Sequence, residues 1–253
     1  MVHIVGAGAG DPELITVKGQ KVLSAADVVI YAGSLVNPEL LKVCKEGVEL
    51  FNSAQMTLKE IVHVIEVADA AGKNIVRLHT GDPSLYGAIQ EQMDMLTEKG
   101  IDFEVIPGVS SFLAAAASLK QELTLPGITQ TVILTRQNGL TPVPDSESLK
   151  NLAQIQSTIC IFLSIKLIDE IVENLLEAGL PSNTPVAVVY KASWKEEMIL
   201  RGTIENISEK VKAAKINRTA LIIVSSCINS RRYKKSNLYS PRFSHMFREK
   251  VTD

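Results

Sequence analysis

Residues 2–12, VHIVGAGAGDP, decide the fold, because a β-branched run of strand length passes directly into a glycine-rich turn. The run from Val2 to Val5 predicts a buried strand. Gly6, Gly8 and Gly10 let backbone amides approach a ligand closely, since no Cβ obstructs them. The stretch therefore predicts either a ligand-binding loop or a purely structural turn at the end of the first strand.

The same stretch departs from the G-x-G-x-x-G fingerprint of dinucleotide-binding folds. Its third glycine comes one position early, and Asp11-Pro12 follows where the fingerprint leads into a helix. Asp11 would also place negative charge where a pyrophosphate binds. The second predicted strand ends in Tyr31-Ala32, with no acidic residue for a ribose hydroxyl. These differences argue against an NAD-dependent oxidoreductase and weaken a Rossmann-type methyltransferase.

Two further loops follow predicted strands in the same way. His79-Thr80-Gly81-Asp82-Pro83-Ser84 repeats the Gly-Asp-Pro of the first loop, and Pro107-Gly108-Val109-Ser110-Ser111 leads into an Ala-rich helix. Ligands of open α/β sheets bind beyond the carboxyl ends of the strands. We therefore expect the three loops to face one crevice, although the Ala-rich helix is equally explained by tight packing on the sheet.

Strand-like runs alternate with helical periods along both halves of the chain. In the first half the runs are Val2 to Val5, Val28 to Tyr31, Asn74 to Leu78 and Asp102 to Ile106. In the second half they are Thr131 to Thr135, Thr158 to Leu163, Pro185 to Tyr190, Met198 to Ile204 and Thr219 to Ser225. No long helix separates the last two runs from a sheet, which favours added antiparallel strands. The pattern predicts two α/β domains, the N-terminal one with a largely parallel sheet and the C-terminal one with a mixed sheet.

A Pro-Gly turn at residues 126–127 marks the linker between the halves. We expect an N-terminal domain at residues 1–118, a C-terminal domain at residues 119–229 and a basic tail at residues 230–253. The tail carries seven basic and two acidic side chains, a net +5 that leaves −7 for the rest of the chain. The tail is interpreted as a terminus that is solvated or packs in a dimer, or as a binding segment for a polyanion.

Composition excludes several classes of protein. The chain has 253 residues, 46% of them hydrophobic, and a net charge of −2, which argues against global disorder and against electrostatic nucleic-acid binding. Its three cysteines lie far apart, which argues against a disulfide framework and a zinc knuckle. Neither a signal-peptide pattern nor an apolar stretch of the roughly 20 residues that a membrane helix needs is present. We expect a cytoplasmic protein without a bound metal.

The motifs of several enzyme classes do not occur. The sequence has no G-x-S-x-G, H-E-x-x-H or G-x-x-x-x-G-K-[ST], which argues against hydrolases, zinc proteases and P-loop enzymes. The four histidines are scattered along the chain. Only His79 neighbours the expected crevice, where it either accepts a proton or positions the loop from Thr80 to Pro83.

Taken together, the three loops resemble the tetrapyrrole methylase family, S-adenosylmethionine enzymes that methylate uroporphyrinogen III and corrin precursors. The matching stretches are GAGAGDPELITVKG at residues 6–19, HTGDPSLYGAIQEQ at 79–92, IPGVSSFLAAAA at 106–117, LTLPGITQTVILTR at 123–136 and PVAVVYKASW at 185–194. YAGSLVN at residues 31–37, together with the second and fourth of these stretches, is similar to the subgroup that methylates carbon 11 of precorrin-4 or cobalt-precorrin-4.

The resemblance implies that S-adenosyl-L-methionine binds in the cleft between the two domains, that a tetrapyrrole lies over a trough in the N-terminal half, and that the protein is a homodimer. By matching position, the donor contacts are Thr80, Gly81, Asp82, Leu85, Ser110, Ser111, Leu163, Ala192, Thr219 and Ala220. The substrate contacts are Gly10, Asp11, Pro12 and Ser34. Two departures bear on the substrate side: Ala9 replaces the family's usual Pro, and Gly33 stands where Asp is expected.

The residue chemistry agrees with a sulfonium donor, because the three loops contain no Lys or Arg to cradle a phosphate. Methyl transfer is an in-line displacement that gains most from alignment and exclusion of water. A proton then has to leave the ring system, and Asp11 and His79 are the candidate acceptors, with Asp82 beside them. Arg77, Arg136 and the basic tail are candidates for binding the substrate's carboxylates.

Three alternative functions stay open at this point. A family member that methylates another tetrapyrrole carbon has the same loops. A non-catalytic tetrapyrrole carrier would need the trough and the basic tail but no chemistry. An NAD-dependent oxidoreductase rests on Gly6, Gly8 and Gly10 alone.

Overall fold

The structure, a computed structural model, describes residues 1–139, 141–240 and 243–249, and for Ser34 the backbone alone. Contacts between Cα atoms divide the chain into two compact units. Unit 1 comprises Met1–Ser118 and Val189–Met198, and unit 2 comprises Leu119–Val188 and Ile199–Asp253. The domain and tail limits drawn from the sequence stay a prediction, and two basic residues of the tail, Arg242 and Lys250, lie outside the described residues.

Unit 1 is built around a five-stranded parallel sheet. Its elements are β1 (Val2–Gly6), α1 (Val17–Ala25), β2 (Val28–Tyr31), β3 (Glu49–Asn52), α2 (Leu58–Ala70), β4 (Ile75–His79), α3 (Gln90–Glu98), β5 (Phe103–Ile106) and α4 (Ser111–Leu119). The strand order is β3-β2-β4-β1-β5, and the paired strands run parallel throughout. The predicted N-terminal parallel sheet is confirmed. The edge strand β3 was not predicted, because its sequence ELFN has no β-branched residue and its side chains are largely exposed.

Both faces of this sheet are buried, which is why its central strands are rich in apolar residues. One face packs Val5, Val29 and Leu78 together with Leu23 of α1. The other face packs its apolar side chains against Ile65 of α2 and its neighbours. With parallel strands, the carboxyl ends of β1, β4 and β5 lie at one edge, and the three glycine-containing loops begin there.

Unit 2 contains a five-stranded mixed sheet. Its elements are β6 (Val132–Arg136), α5 (Leu149–Ala153), β7 (Thr158–Phe162), α6 (Ile168–Glu177), β8 (Pro185–Tyr190), β9 (Met198–Thr203), α7 (Ile207–Ala213) and β10 (Ala220–Val224). The order is β6-β7-β10-β8-β9, with β6 parallel and β10 antiparallel to β7. The predicted mixed sheet of the second half is confirmed, and β10 lies inside the sheet between β7 and β8.

The start of the tail pairs with the predicted linker, since the amide of Lys234 donates to the carbonyl of Pro126 at 2.9 Å. Further along, Tyr239, Met246 and Phe247 are more than four-fifths exposed. None of the helices in the described ranges combines the length and apolar character needed to cross a membrane.

Candidate active site

The first loop (residues 6–12) and the second loop (residues 79–85) are paired through their backbones. The amide of Ala7 donates to the carbonyl of His79 at 2.7 Å. Gly8 and Gly81 exchange two hydrogen bonds, of 3.3 and 2.8 Å between N and O. The start of the first loop is thus paired with the start of the second.

The third loop (residues 107–111) touches both of the others at glycine. A Cβ added to Gly108 would lie 2.2 Å from the carbonyl oxygen of Gly81 and 2.8 Å from the Cα of Gly6. A Cβ added to Gly6 would lie 2.6 Å from the Cα of Gly108. Real side chains do not fit at these distances, so the three loops meet only because these positions lack a Cβ.

Asp82 fastens the second loop to the third. Its Oδ2 accepts a hydrogen bond from the amide of Gly108 at 2.9 Å, and its Oδ1 accepts one from the amide of Ser84 at 2.9 Å. Asp82 therefore has a structural role, because its two carboxylate oxygens hold backbone amides of the second and third loops.

Asp11 lies on the first loop beside the proposed substrate contacts. Its Oδ1 accepts from the amide of Glu13 at 2.9 Å and so caps the short 3₁₀ turn Pro12–Leu14. The carbonyl of Gly10, one residue earlier, accepts from the side-chain amide of Asn37 at 2.8 Å. The carboxylate of Asp11 is partly exposed, and Asp11 stays a candidate proton acceptor.

His79 is buried at the end of β4, with 4% of its surface exposed, and its Nε2 has no hydrogen-bond partner among the described residues. Burial, followed by the positive charge of Arg77, lowers the pKa of His79 to about 3. The imidazole is therefore neutral near pH 7, a weak base, and shielded from a ligand. Its backbone carbonyl holds Ala7, which supports the loop-positioning interpretation of this histidine rather than the proton-acceptor one.

We expect His79 to make the folded state less stable as the pH falls. Its folded pKa of about 3 lies below the ordinary value of 6.5, so the unfolded chain takes up the proton first. Stability is then lost from about pH 6.5 downward, by at most about 1.4 kcal/mol per pH unit. Urea unfolding between about pH 7 and about pH 4.5 should show a shallower loss in His79→Gln than in the wild type.

The matched control is His63→Gln, because His63 is exposed on α2. Its stability should follow pH with the wild-type slope. If His79→Gln and the wild type lose stability in parallel over this range, His79 is not a buried neutral base.

Both arginines that were considered for binding the substrate's carboxylates already donate hydrogen bonds within the protein. Arg77 is buried, and its guanidinium donates to Gln92 Oε1 at 3.0 Å and to the carbonyl of Ile30 at 3.1 Å. Burial lowers the pKa of Arg77 to about 10, so it stays charged. Arg136 donates to the backbone carbonyls of residues 141–142 at 2.7 and 2.8 Å. Both guanidinium groups therefore stabilise loops and strand ends of the protein itself.

The predicted donor contacts are distributed over both units. Unit 1 carries Thr80, Gly81, Asp82, Leu85, Ser110, Ser111 and Ala192, and unit 2 carries Leu163, Thr219 and Ala220. Within unit 1, the position of a Cβ on Gly81 lies 3.7 Å from the Cα of Ser110 and 3.9 Å from the amide nitrogen of Ser111. The second and third loops thus bring their predicted contacts next to each other.

Backbone strain coincides with predicted donor contacts in unit 2. Leu163 and Thr219 have φ angles of +56° and +51°, in the left-handed region that residues other than Gly seldom adopt. Leu163 follows β7 and is 74% exposed, an unusual setting for a leucine. Strain of about 1–3 kcal/mol per residue persists at functional sites where the surroundings enforce it. Eight other described residues that are not glycine also have positive φ angles, so the assignment of Leu163 and Thr219 to the donor site stays a prediction.

Three residues that sequence reasoning did not select hold the first loop: Asn37, Ser193 and Trp194. Asn37 ends the YAGSLVN stretch, and Trp194 is the single tryptophan of the chain. The indole Nε1 of Trp194 donates to the carbonyl of Ala9 at 3.0 Å. The one available signal was the presence of these residues in the matching stretches, since their partners are remote in sequence.

Known proteins share both the sequence and the fold. The sequence pattern of the tetrapyrrole (corrin/porphyrin) methylases matches residues 1–208. A cobalt-precorrin-4 C(11)-methyltransferase of Methanocaldococcus jannaschii is 57% identical over 248 residues, which cover 98% of this chain and 96% of the relative.

Two solved structures are similar as well. One is a cobalamin biosynthetic enzyme, cobalt precorrin-4 methyltransferase, with a TM-score of 0.89, 46% identity and coverage of 90% of this chain and 96% of the other. The second is a uroporphyrin-III C-methyl transferase from Thermus thermophilus complexed with S-adenyl homocysteine. Its TM-score is 0.74 and its identity 28%, and the match covers 90% of this chain and 98% of the other. With a family match over most of its length and relatives this similar, the chain belongs to the tetrapyrrole (corrin/porphyrin) methylases.

Proposed function

We propose that the protein transfers a methyl group from S-adenosyl-L-methionine to carbon 11 of cobalt-precorrin-4 or precorrin-4 in cobalamin biosynthesis. The observation that carries the proposal is the interlocking of the first, second and third loops at glycine, at the carboxyl edge of the parallel sheet. The close relatives bearing the corresponding name support the choice of carbon and substrate.

The donor supplies an electrophilic methyl carbon on its sulfonium. The second and third loops would bind it through backbone groups and small side chains, because neither loop contains Lys or Arg. Ser110 is buried, and Ser111 begins α4. The main contributions of these residues to catalysis are alignment of the two reactants and exclusion of water.

The tetrapyrrole would contact the first loop at Gly10, Asp11 and Pro12, with Ser34 from the segment after β2; the side chain of Ser34 lies outside the described residues. We propose Asp11 as the group that accepts the proton released after methyl transfer. The departure at Gly33 has a packing reason: its φ is +57°, and a Cβ there would lie 2.7 Å from the Cβ of Ala54. An aspartate would not fit at position 33 without a shift.

The decisive experiment is anaerobic transfer of an isotope-labelled methyl group to freshly prepared cobalt-precorrin-4, with unmetallated precorrin-4 in parallel. We expect NMR to place the label on carbon 11, and the ratio of the two rates to identify the preferred substrate. Label on another carbon would contradict the assignment of carbon 11. Absence of label with bound S-adenosylhomocysteine would favour a tetrapyrrole carrier, and binding of NAD alone would favour the oxidoreductase.

We also propose a cytoplasmic homodimer that does not bind nucleic acid and holds no metal of its own. Small-angle scattering at micromolar concentration should give about twice the chain mass of 27.5 kDa. A monomeric mass would contradict the dimer without affecting the proposed reaction.

A further inference from the structure

The segment Val189–Met198, here called the strap, belongs to unit 1 although it connects β8 with β9. Its Trp194 donates a hydrogen bond from Nε1 to the carbonyl of Ala9 at 3.0 Å. The indole ring also lies against Gly10, because a Cβ added there would come within 2.0 Å of the ring atom Cδ1. Trp194 therefore holds the first loop in place. Its ring lies so close to position 10 that only a residue without a Cβ fits there.

A second anchor comes from the neighbouring residue. Ser193 Oγ accepts a hydrogen bond from the amide of Asp11 at 3.0 Å. The amide of Ser193 in turn donates to Glu197 Oε2 at 2.7 Å, and the same oxygen accepts from Ser118 Oγ at 2.6 Å. The strap is thus braced on the end of α4 while it holds the backbone of the first loop.

The turn that carries these anchors also carries a proposed donor contact. Buried Ala192 lies between Lys191 and Ser193, whose φ angles of +47° and +67° fall in the left-handed region. The ammonium of Lys191 lies 5.0 Å from the centroid of the Trp194 ring, a favourable cation–π distance. Ala192 is two residues from Trp194 in this turn, so a ligand that holds Ala192 would also restrict the segment that carries Trp194.

We propose that the strap couples the two substrates: donor bound at Ala192 fixes the strap, and Trp194 and Ser193 then hold the first loop in place for the tetrapyrrole. The inference rests on the proposed function and deepens it. Trp194 is a positioning residue, because it acts through the loop and not on the reacting atoms. Coupling between two ligands is reciprocal, so the tetrapyrrole should also tighten donor binding.

The test is hydrogen exchange of the first-loop amides, residues 6–14, with and without S-adenosylhomocysteine. We expect the ligand to slow exchange in the wild type. Trp194→Phe keeps a ring but loses the Nε1 hydrogen bond, so its loop should exchange about fivefold faster than in the wild type with ligand bound. Trp194→Ala should show a larger loss of protection, and Trp194→Phe keeps the test valid if Trp194→Ala does not fold.

The matched control is Glu196→Gln, on the same strap. Glu196 is 62% exposed and pairs with Lys191 at 3.4 Å, so its replacement should leave first-loop exchange at the wild-type rate. In Trp194→Phe the KM for the tetrapyrrole should also rise about fivefold, while the Kd for S-adenosylhomocysteine does not weaken. A raised KM with an unchanged Kd distinguishes a positioning role of Trp194 from a general loss of stability, which would weaken both.

Wild-type protection of the first loop in Trp194→Phe, with ligand bound, would overturn the inference. That outcome is independent of the proposed function, because the exchange experiment uses no tetrapyrrole. Conversely, absence of methyl transfer by the wild type would count against the proposed function alone.

Discussion

Gly81→Arg should reduce the affinity for S-adenosylhomocysteine at least about 100-fold, a loss of about 2.7 kcal/mol of binding free energy. The Cβ of the new side chain would start 3.7 Å from the Cα of Ser110 and 3.9 Å from the amide of Ser111. The arginine would therefore extend over the contacts that the second and third loops offer the donor. Its positive charge would also repel a sulfonium. Isothermal calorimetry with S-adenosylhomocysteine and S-adenosylmethionine measures both effects.

The matched control is Gly72→Arg. Gly72 has a φ of +68°, close to the +61° of Gly81, and a Cβ there meets nothing within 4 Å. Both variants therefore carry the same added charge and a similar backbone cost of about 1 kcal/mol, but only one faces the loops. Gly72→Arg should bind the ligand as the wild type does. If Gly81→Arg does so too, the donor does not bind at the second loop.

Four of the five strands of the parallel sheet could be predicted from the sequence, because the sheet is buried on both faces and its strands are rich in apolar residues. β2 has the sequence VVIY, and β4 has three apolar residues in IVRLH; a β-branched run bounded by Gly or charge is a strong strand signal. β3, with the sequence ELFN, is an exposed edge strand whose pairing with β2 comes from tertiary structure, so no local pattern announces it.

The contacts inside the site were harder to predict, because they join residues that are far apart in sequence. The carboxylate of Asp82 reaches the amide of Gly108, 26 positions away, and Trp194 reaches Ala9, 185 positions away. Such contacts depend on strand order and register, which one sequence does not specify. For the same reason His79 was considered a proton acceptor: the sequence places it at a strand end but does not tell how deeply that end is buried.

Gly108→Ala should destabilise the protein by about 1–3 kcal/mol, the usual cost of forcing an extra methyl group into a packed site. The added Cβ would lie 2.2 Å from the carbonyl oxygen of Gly81 and 2.8 Å from the Cα of Gly6. These are backbone atoms, so whole loops must move apart. The amide of Gly108, which donates to Asp82, would move with them. Donor binding should therefore fall at least about tenfold, about 1.4 kcal/mol.

Gly139→Ala provides the comparison, because the same methyl group there meets only the flexible end of Leu167 at 3.5 Å, an ordinary van der Waals contact. Urea unfolding and S-adenosylhomocysteine titration of both variants give stability and binding separately. A Gly108→Ala protein with wild-type stability and affinity would mean that the loops are not interlocked at glycine. Loss of binding at preserved stability would instead show that the loops can separate without unfolding, and that their contact at Gly108 serves to shape the donor site.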